Sequence, residues 1–190
     1  RQAIARGGAM ALGRKVDSQI FTTLDATTQG TITVTATTIG QARRGLLDMV
    51  EALISNDAYE PGNMYGVMSP HMWAVASTIQ EFASSDYVGP GSLPFVEGAA
   101  VGMFKQWAQI LWTVHSGVPN VGTSTSKIFI WNKSAVGYAA GKTPANLAGT
   151  MSGETSIGAD NHAMSGNAVL IDDGGVIEGT LDDTAAIPVS

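Results

Sequence analysis

Gly137-Tyr138-Ala139-Ala140-Gly141-Lys142-Thr143 comes nearest to a phosphate cradle, with two glycines followed by a lysine and a hydroxyl. A phosphate-binding loop needs four residues between its glycines, so that backbone N–H groups converge on one anion, and a helix must follow. Here three residues separate the glycines and Pro144 stands where the helix would begin. The run therefore reads as strand and loop. Asp172-Asp173-Gly174 with Glu178 resembles part of a calcium loop, but it lacks the alternating oxygen ligands and the acid at the twelfth position. A hairpin turn accounts for it better. His71, His115 and His162 share no metal-ligand spacing, and a zinc or iron centre would need them to converge with carboxylates in the fold. His71 near a helix start and His115 at a strand end read as polar surface or cap residues. His115-Ser116 has no Gly-x-Ser-x-Gly frame around it and is no nucleophile elbow. Asp25, Asp48 and Glu51 could be taken for paired carboxylates, yet Asp48 and Glu51 share a polar helix face with arginines and read as solvated charge. Trp73, Trp107, Trp112 and Trp131 stand among apolar neighbours, as core or interface anchors and not as a base-stacking platform. No catalytic residue, cofactor or metal ligand is assigned.

The elements that would position these residues centre on Thr38 to Phe82. Thr38 and Gln41 have capping-box spacing. Behind them Ala42, Leu46, Val50 and Leu53, with Ile39, Met49 and Ile54 alongside, repeat at helical period, while Arg43, Arg44, Asp48 and Glu51 fall on the other side. Pro61-Gly62-Asn63 predicts a turn, Met64 to Met68 a buried strand, and Ser69-Pro70 the start of a second helix. Before this region Ile4, Gly8, Leu12, Val16, Ile20 and Leu24 recur every four residues, with Met10 and Phe21 flanking, which predicts a long helix from Arg1 to Leu24 broken near Gly7-Gly8. Thr31 to Thr35 alternates as a short strand.

Beyond Phe82, Ser84 to Gly98 is a Pro/Gly loop carrying Tyr87, Val88, Leu93, Phe95 and Val96, apolar groups to be tucked inside or offered to a neighbour. Ala100 to Phe104 and Ala108 to Val114 read as strands joined by Lys105-Gln106-Trp107. Lys127 to Trp131 and Ala135 to Ala140 read as further strands, and Gly141 to Asn161 as an extended or mobile segment without periodicity. A last hairpin is predicted from Ala168 to Gly179 around Asp172-Asp173-Gly174-Gly175.

A chain of 190 residues can bury a sizeable core. Charged residues make up 14% against 44% hydrophobic, with 23 Gly, which is lean in charge for a surface that must all be solvated. The net charge of -6 argues against a nucleic-acid-binding module. Its distribution is polarised. Arg1, Arg6, Arg14 and Lys15 precede the first acid, Asp17, whereas after Lys142 come Glu154, Asp160, Asp172, Asp173, Glu178, Asp182 and Asp183 with no base. Such a chain could attract its own copies head to tail or close its ends on each other, and internal closure is the expected outcome. Absent cysteine removes disulfides and thiolate metal sites. No apolar run reaches the ~18 residues of a membrane span. The chain opens on Arg1 inside a helical pattern, so an N-terminal segment is expected before it.

In order and spacing these pieces resemble the major capsid proteins of tailed double-stranded DNA bacteriophages, the Hong Kong 97-like coat fold. Arg1 to Leu24 resembles that family's spine helix. Ile39 to Ile54, Pro61, Tyr65-Gly66-Val67-Met68-Ser69-Pro70 and the helix through Ile79 resemble its axial helix, strand and helix. Gly98 to Val114 with Val118-Pro119, Phe129 to Gly137, and Ala163 to Ile171 with Gly175-Val176-Ile177 resemble the strands that follow and return. The resemblance implies an α+β subunit with a spine helix, an axial lobe of sheet and helices, and a peripheral lobe. Residues 1–37 would supply the spine and a peripheral strand, 38–125 the axial lobe, and 126–190 the return strands. It implies pentamers and hexamers of an icosahedral shell around DNA held without sequence-specific contacts, in the virion after assembly in the host bacterial cytoplasm. No cofactor, catalysis or membrane partner is implied, and scaffolding, portal and decoration proteins are admitted as further partners. The family's N-terminal arm and extended loop would lie before Arg1. Tyr87, Val88, Leu93, Phe95, Arg6, Arg14 and Lys15 are the candidate subunit-interface residues. An encapsulin-type nanocompartment is the nearest alternative, and a soluble ligand-binding domain or enzyme the alternative of another class.

Overall fold

The computed structural model describes residues 2–26, 31–83, 104–150, 157–169 and 174–188, with the backbone alone for 2–5, 140–150, 157–167 and 169. Helix α1 (Gln2–Asp25) runs unbroken through Gly7-Gly8, and a Cβ at Gly13 would meet nothing within 4 Å, so that glycine is merely tolerated. A four-residue spacing drifts by about 40° per step around a helix of 3.6 residues per turn. The predicted stripe accordingly winds. Leu12, Val16 and Ile20 are half-buried where α1 runs along the later strand pair, whereas Leu24 and Phe21 are buried against the main sheet.

After β1 (Ile32–Val34), Thr38 caps α2 (Ile39–Ser55) by accepting the Gln41 N–H at 3.2 Å. Ala42, Leu46, Met49, Val50 and Leu53 are buried as the period requires, and Gly45 lets the helix approach so closely that a Cβ would stand 2.8 Å from Val34 Cγ1. Ile54 is the exception and lies exposed. The turn at Gly62, with φ +87, leads into β2 (Met64–Met68). Ser69 then accepts the Met72 N–H at 3.1 Å and Pro70 opens α3 (Pro70–Ala76). The single helix expected through Phe82 is two, because the chain turns at Ser77 to Ile79 before α4 (Gln80–Ala83).

Strands β3 (Phe104–Trp107), β4 (Ile110–Val114), β5 (Ser126–Asn132) and β8 (Val176–Leu181) join β1 and β2 in a six-stranded mixed sheet of order β1-β8-β5-β2-β4-β3. A single 3-10 turn, Lys133–Ala135, leads from β5 into a separate antiparallel pair, β6 (Val136–Thr150) and β7 (Ile157–Val169). Register assigns the faces, because directly paired residues share a side. Gly66, Trp112, Lys105 and Ile130 lie on one face, which α2, α3 and α4 cover in the larger core with Met49, Met72 and Phe82. Val67, Phe129 and Val176 lie on the other, which Phe21 and Leu24 of α1 cover.

Three expectations are corrected. Lys105-Gln106-Trp107 is no connector but most of β3, and the turn falls at Ala108-Gln109, both with positive φ. Residues 100–103 lie outside the described chain. Gly141 to Asn161, read as extended or mobile, is extended in its described part and paired rather than loose, for β6 and β7 pair from Val136/Val169 to Thr150/Ile157. Small side chains hide that alternation. Lastly, Ala168-Val169 pairs with β6 while β8 lies antiparallel to β5 and parallel to β1, so the final hairpin does not form as a local pair.

Candidate subunit interface

Of the residues singled out for contact with neighbours, Tyr87, Val88, Leu93 and Phe95 lie outside the described residues, as do Asp172 and Asp173. Arg6, Arg14 and Lys15 are exposed on α1, and no ion pair among the described residues engages them. The expected closure of basic front on acidic tail is therefore not seen there. Asp183 instead accepts the Ser69 hydroxyl at 2.8 Å and the Gly122 N–H at 3.1 Å. Asp182 accepts the hydroxyl and N–H of Thr184, which hold its carboxyl below the ordinary range.

What ties α1 to the sheet is a polar junction that the sequence reading missed. Glu178 on β8 is only 5% exposed and takes hydrogen bonds from the Lys127 ammonium on β5 and from Thr31 Oγ1 at 2.7 Å. Lys127 lies 3.5 Å from Asp25 Oδ1 at the end of α1. Burial alone would lower the pKa of Lys127. The hydrogen bond and charge of Glu178, with those of Asp25, more than reverse this and raise it above the ordinary 10.5. The available signal was one opposite charge in each of two otherwise apolar strands. Nearby, His115 Nδ1 accepts the Gly117 N–H at 2.9 Å, its Nε2 faces Asp17 Oδ2 at 3.4 Å, and its ring packs on Phe21.

Among the described residues, nothing covers the α1-facing side of the sheet toward β3 and β4. Phe104 is 55% and Leu111 38% exposed, with Gln106 between the strands and the Tyr65–Trp131 stack beside them. No charged side chain stands on this side of β3 or β4. On the opposite side Lys105 is 2% exposed, its Nζ has no hydrogen-bond partner among the described residues and sits 4.9 Å from the Phe82 ring centroid, and burial lowers its pKa. Trp112 is fully buried, and Trp73 and Trp107 contact Phe82 edge-on. Asp48 lies 3.9 Å from Arg44 on the solvated face of α2. Among the described residues no group of three or more His, Asp or Glu could hold a metal ion, and no helix is long and apolar enough to cross a membrane.

The sequence profile described as phage capsid protein matches residues 1–183. The chain belongs to the phage capsid protein family. Comparison with curated protein sequences gave no match. Solved structures share the fold at low identity. A protein of Mycobacterium phage Che8 is 17% identical with a TM-score of 0.71, covering 97% of this chain and 64% of its own. The capsid structure of cyanophage P-SCSP1u gives 15% and 0.66, covering 95% and 65%. A virus-like particle from Pyrococcus furiosus gives 10% and 0.53, covering 89% and 61%. This phage capsid protein thus has the α+β Hong Kong 97-like fold, and it spans a little under two thirds of the length of those chains.

Proposed function

We propose that the protein is the major capsid subunit of a tailed bacteriophage, building pentamers and hexamers of an icosahedral shell around double-stranded DNA. The family match over residues 1–183 carries the reading. Physical features agree with it. The charge-free, partly apolar side of β3 and β4 suits burial by a neighbour. The acidic balance fits a container that holds DNA without gripping it.

In this reading α1 with β6 and β7 forms the peripheral part, and the six-stranded sheet with α2 to α4 the axial part. This grouping differs from a division at 1–37, 38–125 and 126–190 in giving the axial part strands from all three segments. The loop of Tyr87, Val88, Leu93 and Phe95 is placed at capsomer contacts, with Arg6, Arg14 and Lys15 on the spine helix. The virion capsid is the location, assembled in the host cytoplasm with scaffolding, portal and decoration proteins as further partners.

Negative-stain microscopy of the purified full-length polypeptide tests the reading. Closed shells are expected, and a protein that stays monomeric at high concentration refutes it. The particle from Pyrococcus furiosus has the same fold, so the contents of purified shells are the second measurement. DNA supports the phage reading, and protein cargo supports a nanocompartment.

A further inference from the structure

Arg6, Met10, Arg14, Asp17, Phe21 and Leu24 follow one another at spacings of four and three, which places them along a single side of α1. The rear half of that side is occupied by the protein's own sheet, since Phe21 and Leu24 are buried there and Asp17 faces His115. The front half emerges from that cover. Arg6 and Arg14 are exposed, Met10 between them is 54% exposed, and a Cβ at Gly7 or Gly13 would meet nothing within 4 Å. The result is an open ridge of two guanidinium groups flanking a thioether, in line with a face that is already a docking surface.

We propose that this ridge docks on a second copy of the chain, at the acidic corner where α2 ends and its loop begins. The inference rests on the shell reading and names one of its contacts. Charge complementarity selects the occupant. Four of the ten bases precede every acid, leaving six bases against sixteen acids in the remainder, so the body of another copy attracts the ridge. Glu51, Asp57 and Glu60 are exposed at that corner, and no ion pair among the described residues engages them. Lys133, whose N–H bonds to Asn63 O, is exposed beside them and leaves the corner acidic. Phosphate backbones are a poorer occupant, because their binding strengthens with each additional basic contact and this ridge offers two.

The test uses full-length protein freed of nucleic acid and assembled in low salt, with the shell fraction read by sedimentation and folding checked by circular dichroism. Arg6→Glu/Arg14→Glu and, separately, Glu51→Lys/Asp57→Lys/Glu60→Lys should each cut the shell fraction by about tenfold or more, as facing like charges do. Combining the two sets should restore it. Normal assembly of Arg6→Glu/Arg14→Glu overturns the proposal, as does a folded combined variant that stays unassembled. So does a variant that forms normal shells but no longer binds added double-stranded DNA as the wild type does, which would make nucleic acid the occupant. A wild-type protein that forms no shell refutes the shell reading itself, which separates the two failures.

Discussion

Replacing Ala108-Gln109 with Asn-Gly should stabilise the subunit. These two residues turn β3 into β4 with φ of 50 and 58, in the left-handed region. There Cβ crowds the carbonyl oxygen, at a cost of about 1 kcal/mol per residue. A two-residue turn with both φ positive matches the twist of the strands it joins, and Asn-Gly is the pair that adopts it most readily. Three contacts bear on the exchange. Tyr59 donates to Ala108 O at 3.1 Å and Trp112 Nε1 to Trp107 O at 3.2 Å, both main-chain acceptors that the substitution keeps. The contact from Gln106 Nε2 to Gln109 Oε1 is lost, but at 3.4 Å and exposed it contributes little. The added freedom of glycine in the unfolded chain returns about 0.5 to 1 kcal/mol, so the net gain is about 1 kcal/mol. Urea unfolding of the dissociated subunit should show a higher midpoint with unchanged slope, and melting should rise by about 2 to 4 °C. A midpoint that falls or stays put refutes the claim that this turn is strained.

Lys105→Met should stabilise the fold by about 1 kcal/mol near neutral pH, because relief of an unpartnered buried ammonium exceeds the loss of its contact with Phe82. With its folded pKa lowered, Lys105 keeps its proton more readily unfolded than folded, so wild-type stability should gain a contribution as pH climbs toward 10.5. Denaturation at stepped alkaline pH should show that contribution missing in the variant. Gly66→Ala should destabilise by about 2 kcal/mol in urea titration, since its Cβ would stand 2.5 Å from Trp112 Cε3 and force a fully buried ring to move. Lys127→Met should cost about 3 kcal/mol by leaving Glu178 buried without its cation, and Lys127→Met/Glu178→Met should recover most of that loss in the same assay. In wild type the raised pKa of Lys127 means that its contribution is complete below 10.5 and fades as pH passes the folded value.

The parts legible in the sequence are those whose side chains state their own geometry. The stripe of α2, the Thr38 and Ser69 caps and the Gly62 turn all follow from local chemistry. β3 was hidden because Lys105 and Gln106 interrupt its apolar pattern and because its turn contains neither Gly nor Asn. The start of β6 was legible from Ala135 to Ala140, but its continuation and its pairing with β7 were hidden because Gly, Ala, Ser and Thr give little contrast between faces. β8 finds its partners far back in the chain, which no local signal announces, and Asp172-Asp173-Gly174-Gly175 suggested a nearer one. The candidate interface was legible only as charge and exposure. Family order supplied what composition could not.

Under the proposed shell role, the polar junction under α1 gives a reason to keep a buried charge that adds little net stability. Apolar contact between Phe21, Leu24 and the sheet holds the helix close but is indifferent to small sliding. The bonds from Lys127 and Thr31 to Glu178, with Asp25 beside Lys127, have direction and length, and they are satisfied at one placement of the helix end. A small error in angle there grows along the helix toward the exposed ridge of Arg6, Met10 and Arg14. The junction thus sets where the front of α1 points, and repeated contacts in a closed shell depend on that direction. The apolar pair that restores stability should consequently still assemble poorly, with mixed particle sizes by microscopy. Uniform shells from Lys127→Met/Glu178→Met would show that apolar packing alone aims the helix.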